Sequence, residues 1–137
     1  MTRDMRTAFG REHEEALVRF ISSPANTARF KEVMRKVAAG RTRVITAHLY
    51  DPSYAIEFRS PSAATVERTL RSKGAPERAW IVSNSGDLDG LELPLGDAIR
   101  RVLSSELHES VISCIPGRLA FFHSGEDHWY RVLERTD

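Results

Sequence analysis

The 137-residue chain has few of the residues that build disulfide frameworks, metal clusters or membrane spans. Its one cysteine, Cys114, cannot form an intramolecular disulfide or a cluster of thiolates, so the framework does not depend on the redox compartment. No window approaches the ~20 apolar residues that a membrane span requires. The N-terminus also lacks the apolar core of a secretory signal. These absences predict a cytoplasmic protein without membrane contact.

The common catalytic and cofactor-binding motifs are missing as well. The sequence contains no Gly-x-Ser-x-Gly, phosphate-binding loop, Gly-x-Gly-x-x-Gly, His-Glu-x-x-His or pair of Cys-x-x-Cys motifs. Because these motifs place a nucleophile, a phosphate or a metal, their absence leads us to predict no cofactor. The sequence therefore favours a binding protein over an enzyme.

The composition that remains is that of one globular domain with unevenly distributed charge. Apolar residues make up 41% of the chain and charged residues 28%, as in ordinary soluble proteins. Residues 1–137 are predicted to form a single α+β domain, with a helical N-terminal segment, 1–40, packed on it. Residues 1–43 hold ten Lys and Arg against five Asp and Glu, and residues 44–137 hold ten against fourteen. Such a split is typical of an interaction face, although two solvated surfaces give the same count.

The pattern of apolar residues predicts both helices and strands. The helices are residues 11–21, a second capped by Asn26 or Thr27 and followed by Gly40, a third opened by Ser60-Pro61, and a fourth over about 94–104. The strands are residues 42–50, 54–59, 79–83, 109–115, 118–123 and 128–134. The order ααββαβαβββ predicts an α+β fold, in which helices pack on a mostly antiparallel sheet.

The last three strands are predicted to form an antiparallel meander. Its first turn, Pro116-Gly117, has the proline and the glycine that a type II turn takes at its central positions. Large apolar residues lie on both faces of the meander, as Phe121 beside Phe122 shows. Both faces therefore need cover, which comes either from the four helices or from a second chain, as in a homodimer.

The second turn of the meander is an alternative metal or catalytic site. It gathers His123, Glu126, Asp127 and His128. Imidazole and carboxylate groups bind zinc and transfer protons. Hairpin tips are also polar because the turn is solvated, and a solvated turn is the simpler interpretation.

A cysteine–histidine pair is a second alternative. His48 and Cys114 lie on different predicted strands, and a thiol beside an imidazole is an arrangement for nucleophilic catalysis. The sequence does not show that the two side chains meet. A free cysteine commonly packs as a small apolar residue, which is the simpler interpretation of Cys114.

Three groups of residues are candidates for contact with a partner. They are the basic outer face of the second helix (Arg29, Lys31, Arg35, Lys36), the acidic turn-rich loop 84–92 (Asp87, Asp89, Glu92) and the aromatic residue Trp129. The basic face has the charge to follow a phosphate backbone, but Glu32 interrupts it and no aromatic residues alternate with its charges. Nucleic acid therefore ranks below an acidic protein as its partner.

These features lead to the hypothesis of a small, cytoplasmic, non-enzymatic protein that binds another protein. An inhibitor or a toxin-neutralising immunity protein is the concrete version, because such proteins need only a rigid scaffold, a charged patch and a few anchors. The alternative is a small enzyme or a metal- or ligand-binding domain that uses the His123–His128 turn or the His48/Cys114 pair. Nucleic-acid binding through the basic second helix is third.

Overall fold

The structure, a computed structural model, describes residues 7–21, 23–38, 55–58, 61–83, 85–105, 108–123 and 130–135. The helices in these ranges are α1 (Ala8–Ala16), α2 (Pro24–Ala38), α3 (Ala63–Ser72) and α4 (Leu95–Ser104), with a 3₁₀ turn, Leu17–Phe20, after α1. The strands are β1 (Ala55–Phe58), β2 (Arg78–Ser83), β3 (Glu92–Pro94), β4 (Ser110–Ile115), β5 (Leu119–His123) and β6 (Tyr130–Glu134). The predicted α+β fold and the order of its elements are confirmed. β3 was not predicted, and the predicted strand at 42–50 lies outside the described residues.

All six of these strands belong to one antiparallel sheet, in the order β1-β6-β5-β4-β2-β3. The meander is confirmed, because β5 pairs with both β4 and β6. In its first turn Gly117 has a φ of 69°, and the N–H of Arg118 donates to the carbonyl of Ile115 at 3.0 Å. This is the geometry that the type II prediction requires.

Helices cover both faces of the sheet, so each face has its own core. The N-terminal core lies under α1, the 3₁₀ turn and α2, and consists of Leu17, Phe20, Ile21, Phe30, Trp80, Val82, Val111, Ala120, Phe122 and Leu133. The α3–α4 core lies under the other two helices, and consists of Val66, Leu70, Ala79, Ile81, Leu88, Leu95, Ala98, Ile99, Val102, Ile112, Cys114, Leu119, Phe121 and Val132. Because side chains alternate along a strand, Phe121 and Phe122 are buried in different cores. Helices of the same chain thus cover both faces of the meander.

The start of α2 differs from the prediction. Ser23 caps the helix, because its hydroxyl accepts the N–H of Asn26 at 3.3 Å. Pro24 is the first helical residue, a position where the missing N–H of proline costs nothing. The prediction of Asn26 or Thr27 as the cap is therefore wrong by one helical turn.

The start of α3 differs in the same way. Ser62 caps the helix by accepting the N–H of Thr65 at 3.1 Å, and the first helical residue is Ala63. The predicted cap, Ser60, is two residues too early. Within the described ranges, no helix is both long and apolar enough to cross a membrane.

Candidate functional site

Cys114 is part of the α3–α4 core. Its side chain is buried, and its Sγ lies 3.9 Å from the carbonyl oxygen of Ile112. Burial raises the pKa of the Cys114 thiol to about 12, because the charged thiolate would lose its hydration there. The thiol is therefore protonated at neutral pH and is a poor nucleophile. His48, its predicted partner, lies outside the described residues.

His123 is fully buried, in contrast to the exposed position that a hairpin tip implies. The sheet register pairs it with Tyr130, and the two rings stack with their centroids 4.8 Å apart and their planes 4° from parallel. The other members of the predicted site, Glu126, Asp127 and His128, lie outside the described residues. Within the part of the chain that the structure describes, no three metal-ligating side chains gather.

The three acidic residues of the loop have different roles: two stabilise the fold and one is exposed to solvent. A carboxylate oxygen of Asp89 accepts the backbone N–H of Ser83 at 3.0 Å, which closes the loop onto β2. Glu92 forms a 2.7 Å ion pair with Arg78 across β2 and β3. Asp87 is exposed and makes no ion pair with the described residues. Of the three predicted acidic contacts, Asp87 is therefore the one most available to a partner.

The basic face of α2 is only partly described. Arg29 and Lys31 are exposed, on the helix layer that covers the N-terminal core. The side chains of Arg35 and Lys36 lie outside the described part of the structure, as does Trp129. Their roles in contact with a partner stay predictions.

Two buried polar pairs fasten α1 to the sheet. His13 Nδ1 lies 2.6 Å from the hydroxyl oxygen of Ser113 on β4, and Trp80 Nε1 donates to Glu14 Oε2 at 2.7 Å. His13 is 2% exposed and Ser113 is 0% exposed. Burial lowers the pKa of His13, although the carboxylates of Glu12 and Glu92 oppose this in part. The imidazole is therefore predominantly neutral at neutral pH.

The contact between His13 and Ser113 resembles that of a nucleophile with its general base. A nucleophile must reach its substrate, but both side chains are enclosed between α1 and the sheet. The ring of Phe9 covers the imidazole, with the ring centroids 4.4 Å apart. The pair therefore fixes α1 on the sheet, a role that no motif in the sequence indicated for either residue.

An open cleft lies beside the acidic loop, between this loop and the C-terminal end of α4. We call it the α4 cleft, and its volume is about 410 Å³. Its loop wall holds Ser85, Asp87 and Leu88. Its helix wall holds Arg100, Arg101 and Ser104, and Ser105 and His108 complete the lining. The cleft therefore combines an apolar floor at Leu88 with charged groups of both signs.

The loop wall of the cleft is held in place by hydrogen bonds. The carbonyl of Ser85 accepts the N–H groups of Leu88 and Asp89 at 3.2 and 3.0 Å. Gly90, with a φ of 81°, turns the chain back so that its N–H donates to Ile81 at 2.9 Å. Leu88 is 6% exposed and belongs to the α3–α4 core, so its side chain also attaches the loop wall to the core.

The chain matches no family model, no curated protein and no solved structure. The cleft must therefore be interpreted from its own residues. On its helix wall, Arg100 forms an ion pair with Asp97. The neighbouring Arg101 makes no ion pair with the described residues. On the far side, the hydroxyl oxygen of Ser105 lies 2.6 Å from His108 Nδ1.

Of the residues that line this cleft, Asp87 is the one that the sequence predicted as a partner contact. The arginines of α4 were not distinguished from an ordinary solvated helix face, because only the fold brings them to the loop. A sequence pattern was nonetheless present: the acidic loop, which contains Gly86 and Gly90, is followed in the next helix by the adjacent arginines Arg100 and Arg101. Because the loop packs against the end of that helix, the acidic residue and the arginines line the same cleft.

Proposed function

We propose that this protein acts by binding another protein through the charged surface around the α4 cleft, as an inhibitor or a toxin-neutralising immunity protein does. The observation that carries the proposal is that Asp87 and Arg101 are both exposed, line the same cleft and make no ion pair with the described residues. Charged groups around a small apolar floor resemble the anatomy of a protein interface, where polar rims surround desolvated anchors.

The rigidity of the scaffold supports the proposal. Two cores hold the sheet from both sides, and the loop wall of the cleft is hydrogen-bonded to β2. A surface that is already in its binding conformation loses little entropy when a partner docks. Two groups with nucleophilic potential, Cys114 and Ser113, are buried and committed to packing.

Arg29 and Lys31 on α2 are exposed as well, and together they are the described part of the predicted basic face. An acidic partner that docks there instead of at the cleft remains compatible with binding, and nucleic acid is the third candidate. A phosphate backbone would give an affinity that falls steeply with salt and that depends on these two residues. An affinity unchanged by Arg29→Glu and Lys31→Glu together would reject both uses of this surface.

A small-molecule ligand is the main competitor, because the volume of the cleft falls within the range of about 300–1,000 Å³ that such sites occupy. Capture from native lysate with matched variants separates the two functions. We expect one protein to be retained in stoichiometric amount by the wild type and by Arg68→Glu, and lost by Arg101→Glu and by Asp87→Lys. Arg68 is a suitable control because it is an exposed arginine on α3 that does not line the cleft.

The contrary outcomes are equally clear. A captured protein that all four forms retain equally would show that the cleft is not the binding surface. Recovery of the chain alone, or as a homodimer, together with a co-purified small molecule that the cleft variants lose, would favour the ligand-binding alternative.

A further inference from the structure

The charged side chains that line the α4 cleft favour some ligands over others. Arg100 is neutralised by Asp97, whereas Arg101 makes no ion pair with the described residues. Arg101 is therefore the guanidinium of the helix wall that binds an occupant without first giving up an ion pair to a described residue. A guanidinium donates two parallel N–H groups, and the group that matches this geometry is a planar carboxylate or one edge of a phosphate.

Two features of the cleft weigh against a phosphate. Asp87 on the loop wall repels a second negative charge, and the C-terminal end of α4 adds a partial negative charge of its own. A doubly charged phosphate meets both penalties more strongly than a singly charged group does, and a second arginine, Arg100, would have to give up Asp97 to offset them. A singly charged carboxylate needs only that one arginine.

Asp87 also needs a partner in any occupied state, because a carboxylate that loses water without a hydrogen bond is destabilising. The backbone N–H of a peptide is a suitable donor. A single acidic residue of a bound segment carries both groups: a side-chain carboxylate for the helix wall and a backbone N–H for the loop wall. Leu88, the apolar residue of the lining, is the side chain that the methylene groups between them would contact.

The geometry points to the cleft as the docking site for an acidic side chain of the partner protein, with its carboxylate bound by Arg101 and its backbone N–H directed to Asp87. This inference rests on the proposed function and gives the chemistry of recognition at the same surface. His108, whose Nδ1 is engaged with Ser105, lies at the end of the cleft as a further polar contact.

The test is a titration of the full chain with capped tripeptides, followed through the backbone amide resonances of Leu88, Ser105 and His108. Acetyl-Gly-Glu-Gly-amide is expected to shift these resonances with a dissociation constant in the millimolar range. Acetyl-Gly-Gln-Gly-amide, which has the same shape without the charge, should bind about tenfold more weakly, as for the loss of one charge-assisted hydrogen-bond pair. Inorganic phosphate should move these resonances less than the Glu peptide does at equal concentration.

Matched variants complete the test. Arg101→Gln should weaken the Glu peptide about tenfold, whereas Arg68→Gln should leave its affinity unchanged. The inference is overturned if the Gln peptide binds equally well, if phosphate binds more tightly, or if the Glu peptide leaves the three resonances unmoved.

The outcomes also separate this inference from the proposed function. If a captured protein depends on Arg101 but the Glu peptide does not bind, the inference that the cleft takes an acidic side chain is wrong. The proposed function, binding of another protein at the cleft, is then still supported. If the Glu peptide binds but no captured protein responds to Arg101→Glu, the cleft takes carboxylates and the proposed function is wrong.

Discussion

Apolar side chains pack both helix layers of this protein on one sheet, but buried polar pairs also join the N-terminal layer to the sheet. α1 is held by buried polar pairs, His13 with Ser113 and Glu14 with Trp80. α3 and α4 are packed on the opposite face by apolar side chains such as Ile99. Polar pairs require particular atoms at particular distances, whereas apolar burial depends mainly on the volume that is filled. The N-terminal layer should therefore respond to pH and to single-atom changes as well as to volume, whereas the α3–α4 layer should respond mainly to changes in volume.

The largest effect is expected from removing a large side chain from the α3–α4 core. Phe121→Ala should lower the free energy of unfolding by about 3–5 kcal/mol, because the ring is fully buried and its loss leaves a cavity. Urea unfolding at neutral and at mildly acidic pH measures the change, which should be equal at the two pH values. Phe121→Leu, which retains most of the volume, should cost much less. A loss below about 1 kcal/mol for the alanine variant would mean that this core is not tightly packed.

The second effect tests the polar attachment of α1. Glu14→Ala should lower the free energy of unfolding by about 1–3 kcal/mol, because Trp80 Nε1 loses its acceptor in a buried position. Glu14→Gln keeps an acceptor oxygen and should cost less than half as much. Urea unfolding followed by tryptophan fluorescence gives both values. Equal costs for the two variants would show that the hydrogen bond contributes little.

The third effect comes from the close approach of α1 to the sheet. A Cβ atom added at Gly10 would lie 2.3 Å from the indole ring of Trp80, which neither group can accommodate without moving. Gly10→Ala should therefore lower the free energy of unfolding by about 1–2 kcal/mol, although alanine favours helices. Gly86→Ala is the control, since an added Cβ there meets no atom within 4 Å. A Gly10→Ala variant that is more stable than the wild type would contradict this packing.

The smallest effect is a pH dependence. Because burial lowers the pKa of His13, the unfolded chain binds a proton at a higher pH than the folded chain does. The stability due to neutral His13 should be complete above about pH 6.5 and should fall as the pH drops from there towards the lowered pKa, by at most about 1.4 kcal/mol per pH unit. Unfolding of the wild type and of His13→Gln should diverge in this window. Parallel pH profiles would contradict the assignment.

Much of the fold could be predicted because local residues determine it. Pro116-Gly117 specifies its turn, and the apolar run around Phe121 and Phe122 indicated a strand with both faces buried. Two predicted helix starts were wrong because several serines and prolines lie close together, and only packing selects the one that caps. β3 was missed because three residues at the end of a turn-rich loop form a strand only when β2 lies beside them.

The candidate site was harder to predict than the fold. Asp87 stood out as an acidic loop residue, but the arginines of α4 looked like any solvated helix face. The structural roles of Asp89 and Glu92 could not be predicted either. An acidic residue that stabilises a loop or an edge strand cannot be distinguished by sequence from one that contacts a partner. The burial of Cys114 was predicted correctly, whereas that of His13, which determines its protonation, was not indicated by its neighbours in the sequence.

The most direct test of the account is the affinity of the captured partner for three forms of the protein, measured by titration calorimetry. The wild type and Arg68→Gln should bind the partner equally. Arg101→Gln should bind it about tenfold more weakly or worse, as expected for loss of a charge-assisted contact at an interface. Equal affinity of all three forms would contradict the claim that the α4 cleft is the recognition surface of this protein.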